Sequence, residues 1–166
     1  MPLILLHGFP QSHVMWHRVA PRLAKRFQLI CMDLRGYGWS SAPRGGADHE
    51  TYSKRAMGED VLAVLDHFGH VRAFVAGHDR GGRVAYRLAL DHPGRVARLA
   101  ALDIVPTREM WGLIERPGST LAPHWRGLAQ PAPIPEDEIK ARPSALIDTV
   151  MAGWTVRAVK LHGLRF

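Results

Sequence analysis

The segment VRAFVAGHDRGGRVAYRLALDHP, residues 71–93, constrains the fold more than any other part of the chain. An apolar run from Val71 to Ala76 reads as a buried strand and breaks at Gly77. Glycines at 77, 81 and 82 crowd around a lone carboxylate, Asp79. A helical pattern follows over residues 80–91, and Pro93 stops it. A strand that turns at once into a helix through small residues is half of a βαβ unit, and such units build parallel sheets.

The rest of the first hundred residues continues the alternation. Leu3–Leu6 is a short apolar strand ending at His7-Gly8. Val14, Trp16, Val19, Ala20 and Leu23 give residues 14–26 the pattern of a short amphipathic helix. Gln28–Met32 reads as a second buried strand, and DLRGYGWSS (33–41) as a glycine-punctuated loop at its end. A helix is expected from Thr51 to about Phe68, with Ala56, Val61, Leu62, Val64, Leu65 and Phe68 on its apolar face and Gly69 as its stop. Arg98–Leu102 reads as a strand that ends at Asp103. The order β-α-β-α-β-α-β specifies an α/β fold, a parallel sheet flanked by helices. Ligands bind such sheets at the carboxyl ends of the strands, which here carry His7-Gly8-Phe9, Asp33, Asp79 and Asp103.

Past residue 106 the texture changes, with prolines at 106, 117, 123, 131, 133, 135 and 143 and tryptophans at 111, 125 and 154. This stretch reads as an inserted, partly helical cap. The expected organisation is a core over 1–106, a cap segment over 107–154 and an atypical tail over 155–166.

Composition bears on partners. The net charge of +7, from 22 Lys+Arg against 15 Asp+Glu, raises the question of nucleic acid. The basic residues are scattered and do not interleave with aromatics, so no nucleic-acid partner is expected. No apolar run approaches the roughly 18 residues of a membrane span, and no membrane partner is expected. The single cysteine, Cys31, and an N-terminus without a basic segment or small-residue cleavage site fit a cytoplasmic location. The ten histidines lack metal-ligand spacing, so neither a metal nor a cofactor is expected.

Gly77-His78-Asp79-Arg80-Gly81 has the form G-x-D-x-G, a nucleophile elbow with Asp where Ser is usual. A serine needs a base to lose its proton. A carboxylate is already an anion and can displace a leaving group from saturated carbon directly. The product is an ester on the enzyme, which an activated water must then cleave. The competing reading makes Asp79 the N-cap of the following helix, a position Asp favours. Arg80 and Arg83 lie three apart on one helix face just past Asp79, where they either bind an anion or simply face solvent. Asp103 is either part of the site or an Asx-turn residue before Pro106. His7 and Asp33 read as structural, and His78 as a packing or hydrogen-bonding residue.

HGFP (7–10), DLRGYGWSS (33–41) and GHDRGGRVAYRLALDHP (77–93) together resemble the Asp-nucleophile branch of the α/β hydrolases, in that order and on matching elements. HDRGGR (78–83), LDIVPTREMW (102–111), His124-Trp125 and LAQPAPIPE (128–136) narrow the resemblance to the haloacetate dehalogenases, over about residues 2–154. The resemblance implies a partial α/β-hydrolase fold with the start of a helical cap, and a short haloacid as small-molecule substrate. It implies Asp79 as nucleophile and Asp103, 24 residues on, as the acid that orients a catalytic histidine. Backbone N–H groups of Phe9 and Arg80 would form the oxyanion hole. The Arg80 and Arg83 guanidinium groups would grip the substrate carboxylate. His124 and Trp125 would receive the halide, and Trp154 would line the pocket. Epoxide hydrolases and haloalkane dehalogenases share the nucleophile, but paired arginines beside it suit an anionic substrate better.

The resemblance also implies further strands on both sides of this stretch, and a water-activating histidine after the cap. The late histidine of this chain, His162 in KLHGLRF, follows the cap too closely to be that group. A chain lacking the histidine would form the ester without hydrolysing it. Sheet edges left uncovered would favour instability or association, with a homodimer as one form. A non-catalytic remnant is the remaining expectation.

Overall fold

The computed structural model describes residues 1–46 and 48–154, the side chains at 149–151, 153 and 154 excepted. The expected tail, 155–166, lies outside the described residues, and His162 with it. The chain divides into two compact units, the first being Met1–Met110 and the second beginning at Trp111.

The first unit is a four-stranded, wholly parallel sheet. Its strands are β1 (Leu3–Leu6), β2 (Leu29–Met32), β3 (Ala73–His78) and β4 (Val96–Leu102), in the order β2-β1-β3-β4. β1 is central and buried throughout. Successive residues of a strand face opposite ways. Ile4 and Leu6 accordingly enter one core with Met57, Val61, Leu65, Val84 and Leu88. Leu3 and Leu5 enter a second core with Trp16, against which Phe27, Leu29 and Phe74 pack. This two-sided burial explains why β1 reads as a continuous apolar run, whereas β4 is exposed over residues 98–102.

α2 (Lys54–His67) and α3 (Arg80–Asp91) supply the helical side of the first core. The Ser53 hydroxyl caps α2 by accepting from the Ala56 N–H at 3.1 Å, worth about 1 kcal/mol. α2 meets α3 at Gly58, where an added Cβ would make an ordinary van der Waals contact with Leu88 at 3.7 Å.

Three local expectations need correction. The helix expected over 14–26 is a 3-10 turn, His13–Trp16, and a single α turn, α1 (Ala20–Leu23). Pro21 lies in the first turn of α1, and its ring would clash with the carbonyl of residue 17 in a continuous helix. The helix expected from Thr51 begins at Lys54, because Ser53 takes an extended conformation (φ −64°, ψ 155°) in order to cap it. β3 runs from Ala73 to His78 rather than from Val71 to Ala76. Gly77 therefore does not end the strand: it pairs with Leu6 on one side and Ala101 on the other.

α4 (Thr107–Ile114) begins in the first unit, where the Tyr86 hydroxyl accepts from the Thr107 N–H at 3.2 Å. The second unit holds α5 (Pro123–Leu128), α6 (Ile134–Ala141) and α7 (Pro143–Trp154). Trp111 and Trp125 meet edge to face within it, ring centroids 5.3 Å apart. Among the described residues no helix is long and apolar enough to cross a membrane.

Candidate active site

Every strand of the sheet is followed immediately by a polar residue: His7 after β1, Asp33 after β2, Asp79 after β3 and Asp103 after β4. The parallel sheet gathers them along one edge.

Asp79 sits between β3 and α3 with φ 46° and ψ −113°, a backbone conformation that L-residues rarely adopt. Three close approaches hold it there. A Cβ on Gly77 would lie 2.3 Å from the Gly81 carbonyl group, and one on Gly81 would lie 2.4 Å from the Leu6 oxygen. A Cβ on Gly8 would lie 2.7 Å from that of Asp79. The glycines are thus a requirement of backbone packing among β1, β3 and α3. Asp79 occupies the N-cap position of α3, yet its side chain makes no capping hydrogen bond. Its Oδ1 instead accepts from the Phe9 N–H at 2.8 Å, across 70 residues of sequence. The carboxylate is turned away from the helix it precedes, so Asp79 does not cap α3 through its side chain.

Arg80 opens α3, so its N–H is one of the first-turn donors that a helix leaves without an internal partner. Its guanidinium lies over the rings of Phe9 and Tyr37, 5.4 and 5.9 Å from their centroids. Arg83 is buried, and its Nη1 donates to the Val105 carbonyl at 2.7 Å and to the Thr107 hydroxyl at 3.2 Å. Burial lowers the Arg83 pKa, while Asp79 acts in the opposite direction. Arg83 therefore anchors the chain that leaves β4 while its charge is felt at Asp79.

Asp103 is also in the left-handed region, at φ 49°, and its carboxylate is exposed. Its Oδ2 lies 3.7 Å from Nε2 of His78, whose Nδ1 is 3.2 Å from Gln11 Oε1. The structure thus joins His78 to Asp103, a pairing the sequence does not suggest.

His7 and Asp33 are buried and fully engaged. The Leu34 N–H donates to His7 Nε2 at 3.0 Å, so the ring carries its proton on Nδ1, which donates to the Gly8 carbonyl at 2.8 Å. Burial lowers the His7 pKa and keeps the ring neutral. Asp33 accepts from the His13 N–H at 2.6 Å, from His13 Nδ1 at 2.9 Å and from the Trp39 N–H at 3.1 Å. Burial acts to raise its pKa, but these hydrogen bonds prevail and lower it.

His124 and Trp125 stand next to each other, half-buried, in the first turn of α5 in the second unit. Trp154 is the last residue of α7, and its side chain lies outside the described residues. Sequence pattern alone misses Tyr37, whose ring lies against Arg80, and Lys54, whose charge interacts with Asp79, Arg80 and Arg83. A signal for Lys54 exists: a lysine in the first turn of a helix opposes the helix dipole.

The family model described as alpha/beta hydrolase fold matches residues 1–129. The chain is 49 % identical over 152 residues to a fluoroacetate dehalogenase of a Burkholderia species, covering 92 % of this chain and 50 % of that protein. It is 46 % identical over 105 residues to a soluble epoxide hydrolase of Corynebacterium sp. strain C12, covering 63 % of this chain and 35 % of that one. The crystal structure of ALR0039 from Nostoc sp. PCC 7120, which carries an alpha/beta-hydrolase description, superposes with a TM-score of 0.89 at 47 % identity. That superposition covers 95 % of this chain and 54 % of the other. The chain thus spans about half the length of the relatives it matches, or less.

Proposed function

The chain belongs to the alpha/beta-hydrolase family, and from that premise we propose that it carries the nucleophilic half of a haloacid dehalogenase. The substrate class is a short 2-halocarboxylate such as haloacetate. Asp79 Oδ2 attacks the halogen-bearing carbon, the carbon–halogen bond breaks with its electron pair leaving on halide, and an alkyl ester forms at Asp79. Oδ1 becomes the carbonyl oxygen of that ester. When water later adds to Cγ, the negative charge develops on Oδ1.

The observation that carries this reading is the 2.8 Å hydrogen bond from the Phe9 N–H to Asp79 Oδ1. It fixes which oxygen is free to attack, and it places a donor at hydrogen-bonding distance from the oxygen that will hold the charge. Arg80 and Arg83 offset the repulsion between a carboxylate substrate and a carboxylate nucleophile. His124 and Trp125 are proposed to receive the halide, and Asp103 to orient the group that activates water.

Similarity to the soluble epoxide hydrolase of Corynebacterium favours a second reading. An epoxide would be opened by the same carboxylate, but it is neutral and would leave two arginine charges at the site unused.

Incubation with chloroacetate, digestion and mass spectrometry test the proposal. The expected product is an ester on Asp79 that is absent from the Asp79→Asn variant. A folded chain that gives an ester with an epoxide and none with chloroacetate would transfer the assignment to the second reading. A folded chain that gives no ester with either would mark these motifs as a non-catalytic remnant.

A further inference from the structure

Arg80 and Arg83 lie three apart on α3, yet their guanidinium groups are held in different ways. Arg83 is buried, and its Nη1 is spent on the Val105 carbonyl and the Thr107 hydroxyl. Arg80 is half-buried and has no hydrogen-bond or ion-pair partner among the described residues. What it meets instead are two aromatic rings. Its guanidinium carbon stands 5.4 Å from the Phe9 centroid and 5.9 Å from that of Tyr37, both within reach of a cation–π contact. A ring face attracts the cation without taking up the five N–H donors of the guanidinium in hydrogen bonds. The group is placed, and its donors stay available to a ligand.

Both rings are themselves fixed from the carboxyl end of β1. The Phe9 N–H donates to Asp79 Oδ1 at 2.8 Å, so one of the residues facing Arg80 is tied through its main chain to the proposed nucleophile. Tyr37 meets the His7 ring edge to face, with centroids 5.1 Å apart and planes at 69°. His7 is buried and locked by the Leu34 N–H on Nε2 and the Gly8 carbonyl on Nδ1. The loop is closed on either side of Tyr37: its N–H donates to the Leu34 carbonyl, and its carbonyl accepts from the Ser40 N–H, both at 3.0 Å. Rings from the end of β1 and from the loop after β2 thus converge on one side chain of α3. Ordering a long arginine around an anion costs conformational entropy, and a seat already in place removes much of that cost before the anion arrives.

We propose that Phe9 and Tyr37 are positioning residues, forming an aromatic seat that holds the Arg80 guanidinium and thereby sets the preference of the site for a carboxylate-bearing substrate. This rests on the haloacid reading above. Neither ring needs to touch the substrate; the seat acts through the arginine.

Acetate is an unreactive probe of the carboxylate subsite, and its binding can be followed by the line width of its carbon-13 resonance. Tyr37→Leu removes the ring face and keeps an apolar side chain; it should raise the acetate dissociation constant about tenfold. Tyr37→Phe keeps the face and should bind within about twofold of the parent chain. The decisive comparison is made in an Arg80→Met background. There the seat has nothing to hold, and Tyr37→Leu should change affinity by less than about twofold. A ring with a purely structural role would cost the same factor in both backgrounds. Circular dichroism establishes that each variant is folded; should Tyr37→Leu not fold, Phe9→Leu, which keeps the N–H on Asp79, carries the same cycle. Unchanged acetate affinity in the folded single variant, or an equal loss with and without Arg80, would overturn the proposal, as would failure of the folded parent chain to bind acetate. Acetate binding that depends on Tyr37 through Arg80, in a chain that forms no ester with chloroacetate, would support the seat and remove the dehalogenase reading alone. An ester on Asp79 together with acetate binding that is indifferent to Tyr37 would do the reverse.

Discussion

Asp33 and Asp79 leave the same edge of the sheet on either side of β1, each one residue beyond its strand. Asp33 is enclosed. Both of its oxygens accept hydrogen bonds, two of them from backbone N–H groups, and Gly38 approaches so closely that a Cβ there would lie 2.2 Å from Oδ2. Asp79 has a strained backbone and one donor, the Phe9 N–H, on one of its two oxygens. The first carboxylate holds loops in place. The second is itself held in place, with one oxygen left for other work. Position at the carboxyl end of a parallel strand does not separate the two roles; the number of donors committed to each carboxylate does.

The largest test concerns the backbone under Asp79. Gly77→Ala should lower stability by about 4 kcal/mol or more, because its Cβ meets Gly81 backbone atoms that cannot move aside. Urea denaturation would measure this, and a loss below about 1 kcal/mol would show that the close packing is not needed. Asp33→Ala should follow, at about 3 kcal/mol, since it strands the donors of His13 and Trp39. In Asp79→Asn the amide oxygen can still accept from Phe9, so stability should change by about 1 kcal/mol at most. The same variant should lose all ester formation with chloroacetate. Comparable stability losses in Asp33→Ala and Asp79→Asn would erase the contrast between the two carboxylates.

Acid gives a subtler contrast. The Asp33 pKa is lowered in the folded chain, so its stabilising contribution is complete above the ordinary value near 3.8 and is lost as pH falls through the lower folded value. Asp33→Asn should therefore flatten the acid limb of the stability curve. The smallest effect is a gain. The Lys54 pKa falls from 10.5 to about 8 on folding, so the unfolded chain binds that proton more tightly. The penalty is full below about pH 8 and fades as pH rises towards 10.5. Lys54→Met should raise stability at about pH 7 by about 1–2 kcal/mol, after discounting for solvent screening, and by less at higher pH. A thermal melt of Lys54→Met that does not rise at about pH 7 would show that the lysine carries no such penalty.

Much of this was legible in the sequence. β1, the parallel alternation and the glycine corner follow from apolar runs and small residues, because a sheet buried on both faces leaves a continuous hydrophobic trace. Arg80 and Arg83 were legible beside Asp79 because helix spacing is fixed. The break at Pro21 was written in the chain but outweighed by the apolar spacing of Val14, Trp16 and Leu23. The hydrogen-bond partner of the Asp79 carboxylate was not legible, since the local sequence allows either a helix cap or a carboxylate turned away from the helix. Only the strand order brings Phe9 to it from 70 residues away. Lys54 and the pairing of His78 with Asp103 were hidden for the same reason: each depends on which elements become neighbours in space.

The packing of Gly8, Gly77 and Gly81 against their neighbours has one more consequence. It separates shape from reactivity. The corner is a rigid socket made of main chain, and position 79 is the plug. A change in the socket alters geometry for any plug, whereas a change of plug alters the reaction in an unchanged geometry. Exchange of the single residue at position 79 would thus change the functional group presented at this corner, while the surrounding glycines hold its shape.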